Sequence, residues 1–242
     1  FVHYEWSCGG NGGFKESDGP SAMAAIDWGD LTTVQPTEVL ESRFPLHIEW
    51  TQLGLDSGGA GERRGGLGMR RALRLTRGNA LYSLLSDGAI MPPFGIHGGE
   101  TGAPVDSYVI GADGTEHRFD SPGKVGGHPL SEGDTVILQS AAGGGFGDPL
   151  ARDPQDVRRD VQNDIVSQEI AERVYGVCFD TNGDIAEEAT TTRRNEISAG
   201  RPSLKTVRCT ADPYVDSGPS KRRTIRLHPD DTVGASLEVG QK

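Results

Sequence analysis

The stretch Asp56-Ser-Gly-Gly-Ala-Gly-Glu-Arg-Arg-Gly-Gly-Leu-Gly68 decides how the chain folds, because the period of the sequence is two on both sides of it. Upstream, Leu46, Ile48 and Trp50 alternate with His47, Glu49 and Thr51. Downstream, Leu67, Met69, Leu73 and Leu75 alternate with Arg70, Ala72, Arg74 and Thr76, and Arg71 interrupts the apolar face. Alternation of this kind marks half-buried strands. The glycines between them serve tight turns, since glycine adopts backbone conformations closed to other residues.

Working outward, Leu81 to Leu85 is a third strand, and Thr135 to Gln139 another. Between them, Ser107 to Ile110 and Thr115 to Phe119 flank Gly111-Ala-Asp-Gly114, whose Asp-Gly pair predicts a hairpin. Before the first strand, a short helix is expected over Pro36 to Ser42, capped by Thr37. From Asp153 the grammar turns helical. Asp153-Pro154 supplies a cap and a first-turn proline, with Val157, Val161 and Ile165 four residues apart. A second helix is read over Ser167 to Tyr175, ended by Gly176. A third starts at Asp184, with Glu187 at capping-box spacing, and ends near Gly200-Arg-Pro202. Residues 203–223 read as a loop, followed by a strand from Arg223 to Leu227. The fold class is α+β: a β-rich, glycine-punctuated sheet region over 1–150, a helical segment over 151–202, and a loop with a terminal strand over 203–242.

Composition narrows the function classes. Of 242 residues, 34% are hydrophobic and 35 are glycine, which brings the apolar share to roughly the usual half of a globular chain. Acidic residues outnumber basic ones 35 to 24, a formal net charge of -11. Such a surface repels phosphate backbones, so nucleic-acid binding is not expected. No apolar run approaches the roughly 18 residues that span a bilayer. Cys8, Cys178 and Cys209 lie far apart without metal-ligand spacing, a pattern of reduced thiols that points to the cytoplasm. The chain opens at Phe1 rather than at a methionine and is expected to be a piece of a longer polypeptide or a processed subunit.

Glycine clusters at 8–13, 58–68, 95–102 and 143–147 each have the composition to bring bare backbone amides up to an anion. None satisfies a nucleotide-loop pattern: there is no GxxxxGK[ST], and Asp148 and Arg71 stand where a third dinucleotide glycine belongs. Arginines 63, 64, 70, 71, 74 and 77 crowd an otherwise acidic chain. They suit bidentate capture of a phosphate or carboxylate, an interface with an acidic partner, or a solvated strand face. Arg64, embedded beside Gly65 and Gly66, is the substrate-binding choice, with the amides of Gly65, Gly66, Gly144 and Gly145. Asp87, after the third strand, and His97, on a Pro/Gly loop, are the catalytic candidates. No metal site is expected in this chain, because no histidine pair has ligand spacing. These residues alone define no reaction.

Read together and in order, the blocks resemble the C-terminal half of the hydantoinase B/oxoprolinase family. They are Gly9-Gly-Asn-Gly12, Asp18-Gly19, Pro36-Thr-Glu-Val-Leu-Glu41 and the quoted 56–68 stretch. Pro92-Pro-Phe-Gly95 with Gly98-Gly99, Gly102-Ala-Pro104 and Gly143-Gly-Gly-Phe-Gly-Asp-Pro149 follow. Arg152-Asp-Pro154 through Val174-Tyr-Gly-Val177 completes the set.

The resemblance implies a part of a multi-subunit, ATP-dependent enzyme that opens hydantoins, 5-oxoproline or other lactams. A hydantoinase A-like partner would bind ATP and Mg and phosphorylate the substrate oxygen. An N-terminal B-like part would hold any divalent metal. Arginines and backbone amides would suit a phosphorylated, anionic intermediate. Two alternatives come with it: a subunit of a biotin-independent, ATP-dependent ketone carboxylase, and a non-catalytic assembly module. One departure stands out. Where relatives often carry histidines, this chain has Ala24-Ala-Ile-Asp-Trp-Gly-Asp-Leu31, leaving Asp27 and Asp30 as substitutes.

Overall fold

The structure is a computed structural model, and it describes residues 1–5, 7–23, 35–201, 209–211 and 225–227. The expected contacts of Asp27 and Asp30 therefore lie outside the described residues. Two compact units form, 1–197 and 198–242. The smaller holds two short antiparallel strands, Cys209–Ala211 and Ile225–Leu227, the first within the stretch read as a loop.

The larger unit mixes sheet and helix, as the α+β class requires. Helix α1 (Thr37–Arg43) precedes β1 (Leu46–Leu53). Strands β2 (Met69–Leu75), β4 (Asp106–Ile110), β5 (Glu116–Arg118) and β7 (Thr135–Gln139) join β1 in an antiparallel sheet ordered β1-β2-β7-β4-β5. Strand β3 (Ala80–Leu85) pairs instead with β6 (Lys124–Leu130) as a separate two-stranded ribbon. Leu130 of β6 packs with Leu75, Val109 and Val136 of the sheet and holds the ribbon against it. Helices α2 (Pro154–Gln162), α3 (Gln168–Arg173) and α4 (Glu187–Gly200) follow. Val157, Ala171, Val174, Tyr175 and Val177 share a core with Ala60, so the quoted glycine stretch is also a helix contact.

Several local expectations meet their physical cause here. Asp153 caps α2 by accepting from the Gln155 amide, and Ser167 caps α3 by accepting from the Ile170 amide. The Gly111–Gly114 turn closes with the Gly111 amide donating to Thr115. Two expectations fail, and one strand, β6, went unread. Thr37 does not cap α1: Pro36 holds that position, without a side-chain cap. Asp184 does not open α4, which starts at Glu187; its carboxylate pairs with Arg158 instead. Strand β6 escapes the pattern because Gly126, Gly127 and Pro129 read as breakers, although the ribbon needs one partner for β3 and tolerates all three on an exposed strand.

Arg71 interrupts the apolar face of β2 for a reason. It is 3% exposed, and its guanidinium pairs with Glu5 of the N-terminal segment, so a charge on the sheet is met by a charge laid across it.

Candidate functional site

The four glycine clusters come together. The Gly10 amide donates to Ala141 O at 3.0 Å, Gly13 to Gly144 O at 2.8 Å and Gly66 to Asn11 O at 2.8 Å. Gly59 donates to Gly143 O, Gly143 to Gly66 O and Gly145 to Glu100 O. Segments 9–13, 58–68, 95–102 and 141–147 thus knit into a layer whose interior is peptide against peptide. Side chains have no room in it. A Cβ on Gly143 would meet Asn11 O at 1.8 Å, one on Gly65 would meet Gly143 O at 1.9 Å, and one on Gly144 would meet Phe94 O at 2.0 Å.

The substrate-binding choices sit in that layer. Gly65, Gly66, Gly144 and Gly145 are buried, and the amides of Gly65, Gly66 and Gly145 donate to Gly59, Asn11 and Glu100. Amides spent on neighbouring carbonyls do not cradle a phosphate, so the layer is a frame for what surrounds it. Arg64 faces inward too. Its Nε donates to Asp160 at 3.2 Å, its Nη1 to its own neighbour Gly65, and its amide to Asp18.

Arg152 completes this cluster and was missed from sequence. It is 2% exposed, grips both oxygens of Asp18 at 2.7 and 2.8 Å, reaches Asp160 at 2.7 Å and donates to Glu62 O. Two guanidinium groups and two carboxylates thus balance in the interior, with Tyr175 packed beside them, its phenol pushed up by burial. The one available signal was the Arg152-Asp-Pro154 block: an arginine immediately before a helix cap.

Burial pulls the Asp18 carboxyl upward, but the Arg152 bond and the charges of Arg152 and Arg64 outweigh it and hold Asp18 below the ordinary carboxylate range. A carboxyl lowered in the folded state stabilises the fold above its unfolded value and loses that contribution as pH falls through the folded one. Thermal midpoints are therefore expected to hold steady from pH 7 to 5 and to drop below about pH 4. Asp18→Asn should melt lower at neutral pH and lose part of that acid dependence, as calorimetry across the series would register.

The catalytic candidates lie elsewhere. Asp87 is exposed on the wall of a groove between the sheet and the β3–β6 ribbon, a groove whose lining does not include Arg64 or His97. His97 is exposed at a φ of 54°, its ring edge-on to Phe146 at 5.0 Å, on the loop that is clamped through Ile96, whose amide donates to Gly145 O and whose carbonyl accepts from Gly147. The structure therefore does not gather Arg64, Asp87 and His97 into one pocket. Burial pushes the Cys178 thiol up, away from the thiolate a nucleophile needs. Among the described residues, no three His, Cys, Asp or Glu side chains converge as metal ligands, and no helix is long and apolar enough to cross a membrane.

The caprolactamase beta subunit of Pseudomonas jessenii is 33% identical over 76% of this chain and 32% of its own length. A solved ATP-dependent caprolactamase from the same organism superposes with a TM-score of 0.67 at 32% identity, covering 78% of this chain and 33% of that one. The acetophenone carboxylase delta subunit of Aromatoleum aromaticum is 26% identical over 74% of this chain and 30% of its own. The chain spans between a quarter and a third of the length of the curated relatives it matches first. The profile described as Hydantoinase B/oxoprolinase matches residues 1–149, and the chain belongs to that family.

Proposed function

We propose that this chain is part of the B-type component of an ATP-dependent cyclic-amide hydrolase, working with a hydantoinase A-like subunit that binds ATP and Mg. The observation that carries this reading is the caprolactamase likeness, about a third identical over more than three quarters of the chain. The amides of Gly59, Gly65, Gly66, Gly143 and Gly145 are engaged with other backbone, which argues against a nucleotide-phosphate loop here, and ATP is assigned to the partner.

In this reading the chain contributes position rather than proton transfer by itself. The peptide layer, braced by Arg64, Gly65, Gly66, Gly144 and Gly145, fixes the 92–99 loop. That loop presents His97, and Asp87 stands apart from it on the groove wall, each a separate candidate for contact with substrate. Catalytic geometry tolerates little displacement, which makes a stiff support useful.

The test is turnover by the complete particle, containing this chain, the rest of the B-type component and the A-like subunit. Lactam or hydantoin loss coupled to ADP formation is the expected result, and neither event occurring sinks the reading. The 26% identity to a ketone carboxylase subunit supports a second reading, separated from the first by bicarbonate dependence and carbon incorporation into product. A third reading is an assembly module, supported by the glycine layer and Arg64 being bonded within the chain rather than open to a ligand. Arg64→Ala and Asp87→Ala decide it: an intact particle with lost turnover indicates a site, a dissociated one an interface.

A further inference from the structure

Successive residues of an extended segment face opposite ways, and Arg64, which turns inward, has a neighbour that does not. Arg63 pairs antiparallel with Phe146: its amide donates to Phe146 O at 2.9 Å, and the Phe146 amide donates back to Arg63 O at 2.8 Å. On its other side Phe146 is bridged in parallel to Ile96, through Ile96 N to Gly145 O and Gly147 N to Ile96 O, both at 3.0 Å. Bridged residues carry their side chains on one face. Arg63, Phe146 and Ile96 therefore stand in a row, and the His97 ring meets Phe146 edge-on.

Arg63 is uncommitted. Among the described residues it makes no ion pair, whereas Arg64, Arg71 and Arg74 each meet a carboxylate and Arg70 lies over the Trp50 ring. Its Nε is shut off from solvent and has no hydrogen-bond partner among those residues. Glu62, next in sequence, reaches over Gly147 instead, where its Oε2 would lie 3.3 Å from an added Cβ. A half-buried guanidinium without a carboxylate, in a chain of net charge -11, is an unfilled position for an anion. Phe146 and Ile96 beside it form an apolar wall.

We infer that Arg63 is the anion-binding residue of the His97 site, and that it takes an oxyanion joined to the substrate ring, with the ring laid on Phe146 and Ile96. The ring rests on the cyclic-amide reading above; the anion follows from Arg63 itself. Two groups share this chemistry. One is a carboxylate carried by the cyclic amide, the other the phosphoryl group that ATP-dependent activation would place on its oxygen. Both present paired oxygens to a guanidinium fork.

Imidazole NMR of the chain tests this, with the His97 signal identified by its loss in His97→Gln. The probes are 5-oxoproline, 2-pyrrolidinone (the same ring without the carboxylate) and inorganic phosphate. If the ring's own carboxylate is the ligand, 5-oxoproline shifts the His97 signal saturably, about tenfold or more below the concentration that 2-pyrrolidinone needs. If the phosphoryl group is the ligand, inorganic phosphate does so and the two lactams respond alike. In either case Arg63→Met weakens the effective probe about tenfold or more at an unchanged melting temperature. Arg63→Lys, a point charge without the fork, keeps part of the binding. A His97 signal unmoved by every probe, or moved equally in Arg63→Met, overturns the inference. If Arg63→Met unfolds, the comparison of the anions with 2-pyrrolidinone on the unaltered chain still decides. Anion binding lost in Arg63→Met, with a particle that opens no lactam, keeps this site and discards the proposed reaction. A particle that opens lactams as fast with Arg63→Met as without it does the reverse.

Discussion

Gly143→Ala is expected to remove about 4 kcal/mol or more of stability, a large share of the roughly 5–15 kcal/mol that a domain possesses. The added methyl would sit 1.8 Å from Asn11 O, 2.2 Å from Asn11 C and 2.7 Å from Gly12 N. A flexible side chain moves aside for a guest; a peptide group fixed on both sides does not. Asn11 O accepts from Gly66, and its amide donates to Pro20 O, so any retreat breaks bonds to two further segments. Overpacking in ordinary cores costs about 1–3 kcal/mol because rotamers relax, and here there is no rotamer to relax. The contrast is Gly126→Ala on exposed β6, where the new methyl meets nothing within 4 Å. That change should leave stability level or raise it by up to about 1 kcal/mol, through the lower backbone entropy of the unfolded chain. Urea titrations of the two variants measure the difference directly. Similar midpoints for both would disprove the peptide layer.

Arg152→Met is expected to cost about 3–5 kcal/mol, the penalty for stranding buried charge rather than the worth of a salt bridge. Methionine fills much of the volume, so packing loss is small. What remains is Asp18 and Asp160 with Arg64 as their one paired cation among the described residues. The effect is amplified by topology, because Arg152 ties the Asp18 turn, the Glu62 carbonyl and α2 at a single point. Adding Asp160→Asn to Arg152→Met should recover part of the loss, since the second change removes one of the stranded charges. A double-mutant cycle read by chemical denaturation gives that coupling. Strictly additive losses would show that the two groups do not sense each other.

Much of the sheet was legible because period-two alternation survives in β1, β2, β4 and β7 despite the glycines around them. Arg71 looked like a flaw in that pattern and is a buried pair, a distinction that depends on Glu5, far away in sequence. The helices announced themselves through Asp153 and Ser167. Strand β6 did not, since a strand bearing Gly126, Gly127 and Pro129 forms from its partner's demands rather than its own propensity. The candidate site was less legible still. Sequence marked Arg64 and the glycines as unusual, but composition cannot tell an amide offered to a ligand from one spent on a carbonyl. Asp87 and His97 were found by the loops they occupy, and nothing in the sequence said that they sit apart from Arg64.

The peptide layer also fixes how the molecule responds to temperature. Exposing apolar surface on unfolding raises heat capacity, about +0.45 cal/K/mol per Å², whereas exposing polar surface lowers it by roughly half as much. Segments whose buried neighbours are N–H and C=O groups supply mainly the second kind. The glycine layer therefore contributes little or negative heat capacity to unfolding, against the usual positive increment of residues packed side chain to side chain. Its share of the stability curve is flat, so cold weakens it less than the leucine and valine clusters beside the sheet.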